Sequence, residues 1–117
     1  MPDSQTDFHK KLLGKVGEKK AIAYMKKLGY KLIKANFKTP FGEADAVFQK
    51  DGVTVFTEVK TRSNRSFGDP KDSVNYLKKE KYRKIANYYT LKEENAVVSF
   101  AVVEIVGDEI NLIIDAF

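Results

Sequence analysis

The chain has 117 residues, 43% hydrophobic and 32% charged, a balance that folds into a single domain over 1–117 and is far from disordered. No apolar run nears the roughly 18 residues that cross a bilayer, Met1-Pro2-Asp3-Ser4-Gln5 has neither the basic start nor the apolar stretch of a signal peptide, and the absence of cysteine excludes disulfides, thiolate catalysis and cysteine-bound zinc. These features point to the cytoplasm and away from membranes, while a net charge of +5 suits a polyanionic partner, although it also serves solubility alone.

Taken in chain order, the elements are legible from period and punctuation. Ala21, Tyr24, Met25 and Leu28 form a helical stripe continued backwards by Val16, Leu12 and Phe8, so a first helix is expected over about residues 7–28 with Gly29 as its C-cap. His9, the only histidine, reads as a solvated residue near the terminus and rules out a histidine-cluster metal site. Tyr30 to Phe37 reads as a strand and Thr39-Pro40-Phe41-Gly42 as a turn. Two further strands, Glu43 to Gln49 and Val53 to Lys60, meet across Asp51-Gly52, a strong hairpin signal. Arg62 to Asp69 is polar and loop-like. A second helix carries Tyr82, Ile85, Ala86 and Tyr89 at helical spacing, with Asn75 as a candidate N-cap. Val97 to Val106 and Glu109 to Ile114 close the chain as strands turning at Gly107-Asp108. The order, helix, three strands, helix, two strands, predicts an α/β fold with a sheet covered by helices.

The hairpin gathers the charges. A two-residue loop at Asp51-Gly52 pairs Lys50 with Val53, and that register puts Asp45 opposite Glu58 and Glu43 opposite Lys60 on one face. Opposed Cβ atoms lie about 4.5–5.5 Å apart, so two carboxylates there repel unless a cation or a proton sits between them. An oxygen-rich site of that kind suits Mg²⁺. The competing reading is a solvated face on which Glu43, Glu58 and Lys60 merely pair. Against it, the next pair on that face is Val47 with Phe56, and the opposite face, with Ala44, Ala46, Phe48, Val55, Thr57 and Val59, is also largely apolar. Charges on a sheet covered on both sides need a reason.

Gly42-Glu43-Ala44-Asp45, followed across the hairpin by Phe56-Thr57-Glu58-Val59-Lys60-Thr61-Arg62, resembles the PD-(D/E)XK nuclease motif. The chain more closely resembles the YraN-like family of small proteins with expected endonuclease activity. Gly14-Lys15-Val16-Gly17-Glu18 with Ala21, Leu28-Gly29-Tyr30, Asn36, Phe67-Gly68-Asp69-Pro70, Val74 with Lys78, Phe100-Ala101-Val102-Val103 and the final Ala116-Phe117 match that family in order, from about Leu13 to the end. Two stretches depart from it: Ala44 stands where isoleucine is usual, and Ser99-Phe100-Ala101 where many members carry Arg-Phe-Asp.

The resemblance implies a restriction-endonuclease-like mixed sheet flanked by helices, similar to archaeal Holliday junction resolvases. It implies Mg²⁺ or Mn²⁺ held by Asp45, Glu58 and the Val59 carbonyl, with Glu18 reaching the same ion and Glu43 supporting. Lys60 would orient or deprotonate the attacking water, or stabilise charge on the phosphate. Beside two carboxylates it is expected to stay protonated, which leaves the general base open. Gly14 and Gly17 are expected to let the first helix approach the sheet closely, at roughly 1 kcal/mol each in helix propensity. Lys78, Lys79, Lys81, Arg83 and Lys84 make a basic helix face that is either solvated or, with Arg62 and Arg65, a phosphate-binding surface in which Lys78 and Lys81 match recurrent basic positions. The leading expectation is a metal-dependent endonuclease acting on DNA, with branched or damaged structures among the candidate substrates. The alternatives are a nuclease-like module that binds nucleic acid without cutting it, and a structural partner that assembles through its Tyr- and Phe-rich surfaces. A homodimer is left open.

Overall fold

A computed structural model describes residues 4–62, 76–93 and 95–116, with all their side chains except those of 4–11 and 13. Helix α1 (Ser4–Lys27) is followed by strands β1 (Lys31–Thr39), β2 (Gly42–Lys50) and β3 (Val53–Arg62), helix α2 (Tyr76–Thr90), and strands β4 (Val97–Val106) and β5 (Glu109–Ile114). This is the order expected from the hydrophobic periods. The strands form one mixed sheet in the order β1-β2-β3-β4-β5, antiparallel throughout except for the parallel β3–β4 pair. A parallel neighbour requires a crossover connection, and α2 lies within it.

The punctuation acts as its chemistry dictates. The Tyr30 amide donates to the Met25 carbonyl and the Gly29 amide to that of Lys26, with Gly29 at φ 94, so α1 ends in a Schellman motif. Asp51 and Gly52 both have positive φ, 52° and 79°, as a two-residue type I′ turn demands, and Lys50 pairs with Val53. The Asn75 cap and the stretch 63–75 lie outside the described residues.

Each face of the sheet is covered by one helix. Ala21 and Met25 of α1 pack on Ala46, Phe48, Val55, Ala101, Val103 and Ile105. Tyr82, Ile85 and Ala86 of α2 pack on Val47, Phe56 and Ala44, with Phe37, Tyr89 and Phe100 at the margin. Phe37, Phe56, Tyr82, Tyr89 and Phe100 gather in that second core, where Tyr89 meets Phe56 edge-on at 5.6 Å.

Three expectations need correction here. Ala44 belongs to the α2 side and not to the face of Ala46 and Phe48, because β2 changes its facing about Asp45. On β1, the residue between the Ala35–Ala46 and Phe37–Ala44 pairs is Asn36, held at φ 53, a conformation Asn tolerates better than most residues. The apolar stripe of α1 does not continue inward: Leu12 and Val16 are 48% and 42% exposed. Among the described residues, only one of the two helix glycines is demanded by packing. A Cβ on Gly17 would fall 2.2 Å from Thr61 Oγ1, whereas one on Gly14 would meet no described atom within 4 Å.

Candidate active site

The β2–β3 ladder follows the expected register as far as Ala46–Thr57 and stops there. Beyond that rung β2 stays paired with β1, while β3 continues alongside β4 out to Arg62. Glu43 therefore sits in register with Lys38, Glu58 with Val102 and Lys60 with Glu104, so neither the expected Asp45–Glu58 pairing nor the Glu43–Lys60 opposition forms in the ladder. Where the strands part, side chains take over the backbone's hydrogen bonds, as buried amides require. Asp45 Oδ2 accepts from the Val59 amide at 2.8 Å, and the Asp45 amide donates to the Tyr82 hydroxyl.

The parting opens a cleft of about 750 Å³ between β3 and α1. Asp45, Glu58, Val59, Lys60 and Arg62 line it, and α1 contributes Gly14, Gly17 and Glu18. The tight Gly17–Thr61 approach brings the following residue, Glu18, to this wall. Glu18 accepts a hydrogen bond from Asn36, and burial together with the neighbouring Glu43 charge raises its pKa.

Asp45 and Glu58 feel one another's charge but are solvated differently. Burial, then Glu58, pushes Asp45 up to about 6, opposed by the Val59 amide. Burial alone would raise Glu58 as well. Instead two donors from α2 hold it below the usual carboxylate range: Lys78 Nζ on Oε1 and the Tyr82 hydroxyl on Oε2, each at 2.5 Å. Glu58 is 7% exposed and Tyr82 fully buried. Among the described residues no third carboxylate or histidine joins the pair in a three-side-chain ligand group. Glu18 lines the same cleft, and its charge reaches Asp45.

Lys78 and Lys81 are placed otherwise than a solvated helix face would have them, whereas Arg83 and Lys84 are exposed. Lys78 turns inward to Glu58, which outweighs the opposing effect of burial and raises its pKa. The Lys60 pKa is lowered, by burial and then by the adjacent Lys78 ammonium. Lys81 lays its stem over Gly42 and its ammonium 5.3 Å from the Tyr82 ring centroid. Arg62, expected in a loop, is the last residue of β3 and faces the buried Glu104 of β4 at 3.6 Å. Arg83 is ion-paired with Glu80, and Arg65 lies outside the described residues.

The roles of three site-forming residues escape a sequence reading. Tyr82 looks like any aromatic on a buried helical stripe, and Asn36 like an interruption of a strand. Glu104 does carry a signal, a lone acid inside Ala101-Val102-Val103-Glu104-Ile105-Val106, since a charge in a covered strand needs a partner.

The chain is similar in sequence to known proteins along most of its length. Residues 17–105, which hold the cleft residues from Gly17 to Ile105, match the profile of "Uncharacterised protein family UPF0102". A UPF0102 protein of Thermodesulfovibrio yellowstonii is 43% identical over 90% of this chain and 95% of its own length. One of Caldicellulosiruptor bescii is 40% identical over 92% and 98%, and one of Caldicellulosiruptor saccharolyticus 34% identical over 93% and 99%. The chain belongs to the UPF0102 family.

Proposed function

We propose that this UPF0102 member is a divalent-metal-dependent endonuclease of restriction-endonuclease-like fold that hydrolyses phosphodiester bonds in DNA in the cytoplasm. The observation that carries this reading is the convergence of Asp45 and Glu58 with Lys60 at one cleft, at the point where β2 and β3 part.

The residues fit a hard cation. The donors are all oxygens, and Asp45 is a partly buried carboxylate whose proton affinity is raised by burial and by Glu58, a site that gains from a positive charge. Asp45 and Glu58 would hold Mg²⁺ or Mn²⁺, with the Val59 carbonyl and Glu18 as further oxygen donors. Two side-chain carboxylates suffice for Mg²⁺, which keeps several of its waters. When bound, such an ion acidifies water and neutralises charge on the phosphoryl group. The chain's own residues do the rest. Lys60 projects into the cleft, where it orients the attacking water and opposes charge on the phosphate. Arg62, braced by Glu104, and Lys81 contact flanking phosphates.

The test is incubation with linear, single-stranded, branched and damaged DNA, with Mg²⁺ or Mn²⁺ and with EDTA. Wild type is expected to cut at least one of these with metal and none with EDTA. Asp45→Asn and Lys60→Ala should both bind DNA and fail to cut it, and only Asp45→Asn should lose the thermal shift produced by Mn²⁺. A wild-type protein that cuts nothing and melts identically with and without metal would leave a non-catalytic nucleic-acid-binding module as the better account.

A further inference from the structure

Both oxygens of Glu58 are met from α2, by residues one helical turn apart whose chemistry differs. Lys78 Nζ donates to Oε1 and carries a unit charge; the Tyr82 hydroxyl donates to Oε2 and is neutral. Tyr82 is also joined to the other member of the pair, because its hydroxyl accepts from the Asp45 amide. One buried phenol thus ties together the two strands at the place where their ladder has ended.

These donors should act on a bound metal with opposite signs. A cation between Asp45 and Glu58 is attracted by the carboxylates and repelled by the Lys78 ammonium, so ion and ammonium compete for the same charge. Tyr82 offers no charge to compete with, and it fixes the direction in which Glu58 presents its lone pairs, as outer partners of metal ligands do. We infer that Lys78 is an internal counter-cation that occupies Glu58 until a divalent ion replaces it, and that Tyr82 is the positioning residue that keeps Glu58 and Asp45 aligned through the exchange; this rests on the metal-dependent reading above. Lys78 is the third residue of α2, with a side chain 24% exposed beside Lys60. Its flexible stem can deliver the displaced ammonium to a phosphate at the mouth of the cleft, so that cation entry and nucleic-acid binding reinforce each other.

The experiment is a calorimetric titration of the full chain with Mn²⁺ at pH 7.5, with melting curves in EDTA to verify that each variant is folded. Lys78→Gln keeps a hydrogen-bond donor without the charge and should bind Mn²⁺ on the order of tenfold more tightly. Lys78→Arg keeps the charge and should bind like wild type. Tyr82→Phe should bind about 10- to 100-fold more weakly. A measurement on wild type guards against a Lys78→Gln protein that does not fold: acylation of Lys78, read by mass spectrometry against exposed Lys84, should rise when Mn²⁺ is added. A wild type that binds Mn²⁺ while Lys78→Gln binds no tighter, or with Lys78 acylation unchanged, overturns the inference and leaves the metal site standing. If neither wild type nor any variant binds Mn²⁺, the metal-dependent reading falls and the inference with it.

Discussion

The Asp45 carboxylate is ionised at neutral pH only against burial and against the charge of Glu58, both of which push it up to about 6. A folded-state pKa above the unfolded value near 3.8 means that the native state binds the proton more tightly. Asp45 therefore adds relative stability below about pH 3.8, and that contribution is lost as pH rises through 6. Asp45→Asn keeps an oxygen for the Val59 amide and removes the charge. In EDTA it should be more stable than wild type by about 2 to 3 kcal/mol at pH 7, with the gap closing as pH falls toward 4. Thermal melts across that range decide it, and a gap independent of pH would mean that the Asp45 charge is not the source. Glu58 behaves in the opposite sense. Its pKa is lowered by Lys78 and Tyr82, so its contribution is present above the unfolded value near 4.5 and is lost on further acidification.

At the scale of elements, the site depends on how closely α1 lies on β3. The Gly17 backbone leaves no room for a methyl beside Thr61 Oγ1, so Gly17→Ala should push helix and strand apart, at about 1–3 kcal/mol, the usual range for overpacking. Thr61→Ala in the same chain should restore most of that loss; no recovery would mean that the contact is not the cause. Gly14 has no such neighbour among the described residues, and Gly14→Ala should raise stability by about 0.5–1 kcal/mol through helix propensity alone. Denaturant melts of the three variants separate the two glycines, which sequence spacing had grouped together.

Over the whole molecule, the net charge of +5 and the pI near 9.3 favour contact with phosphates. Binding to DNA should weaken steeply with salt, with a slope that falls by about 0.9 for each phosphate contact removed. Lys81→Gln should flatten the slope by about that amount on all sequences alike, and an unchanged slope would return Lys81 to its packing role over Gly42 and Tyr82. The two edge strands carry their own protection. Exposed Lys31, Lys34 and Lys38 line β1, and exposed Glu109 and Asp115 stand at the ends of the β5 edge, charges that oppose strand-to-strand association. Among the described residues no helix is long and apolar enough to cross a membrane.

The order of elements, the Gly29 cap and the Asp51-Gly52 register were legible from the chain alone, because each rests on interactions within a few residues or on a strict period of two or 3.6. The same locality predicts Asp45 opposite Glu58 and so brings the candidate site into view, although the ladder ends one rung short of them. Everything beyond the last rung belongs to the tertiary structure. Asp45 and Glu58 never pair through their backbones, since β3 follows β4 and β2 follows β1, and that divergence is what makes the cleft. Sequence spacing grouped Lys78 with the surface lysines, yet α2 docks so that Lys78 and Tyr82 face a buried carboxylate some twenty residues earlier. The same approach sets the surroundings of Lys60, whose pKa answers to burial and to a neighbouring ammonium before it answers to Glu58. Charge and hydrogen-bonding capacity are written in the residue types. Which partner each group meets, and how much water remains around it, depends on layers packing across long stretches of chain, where no local period reaches.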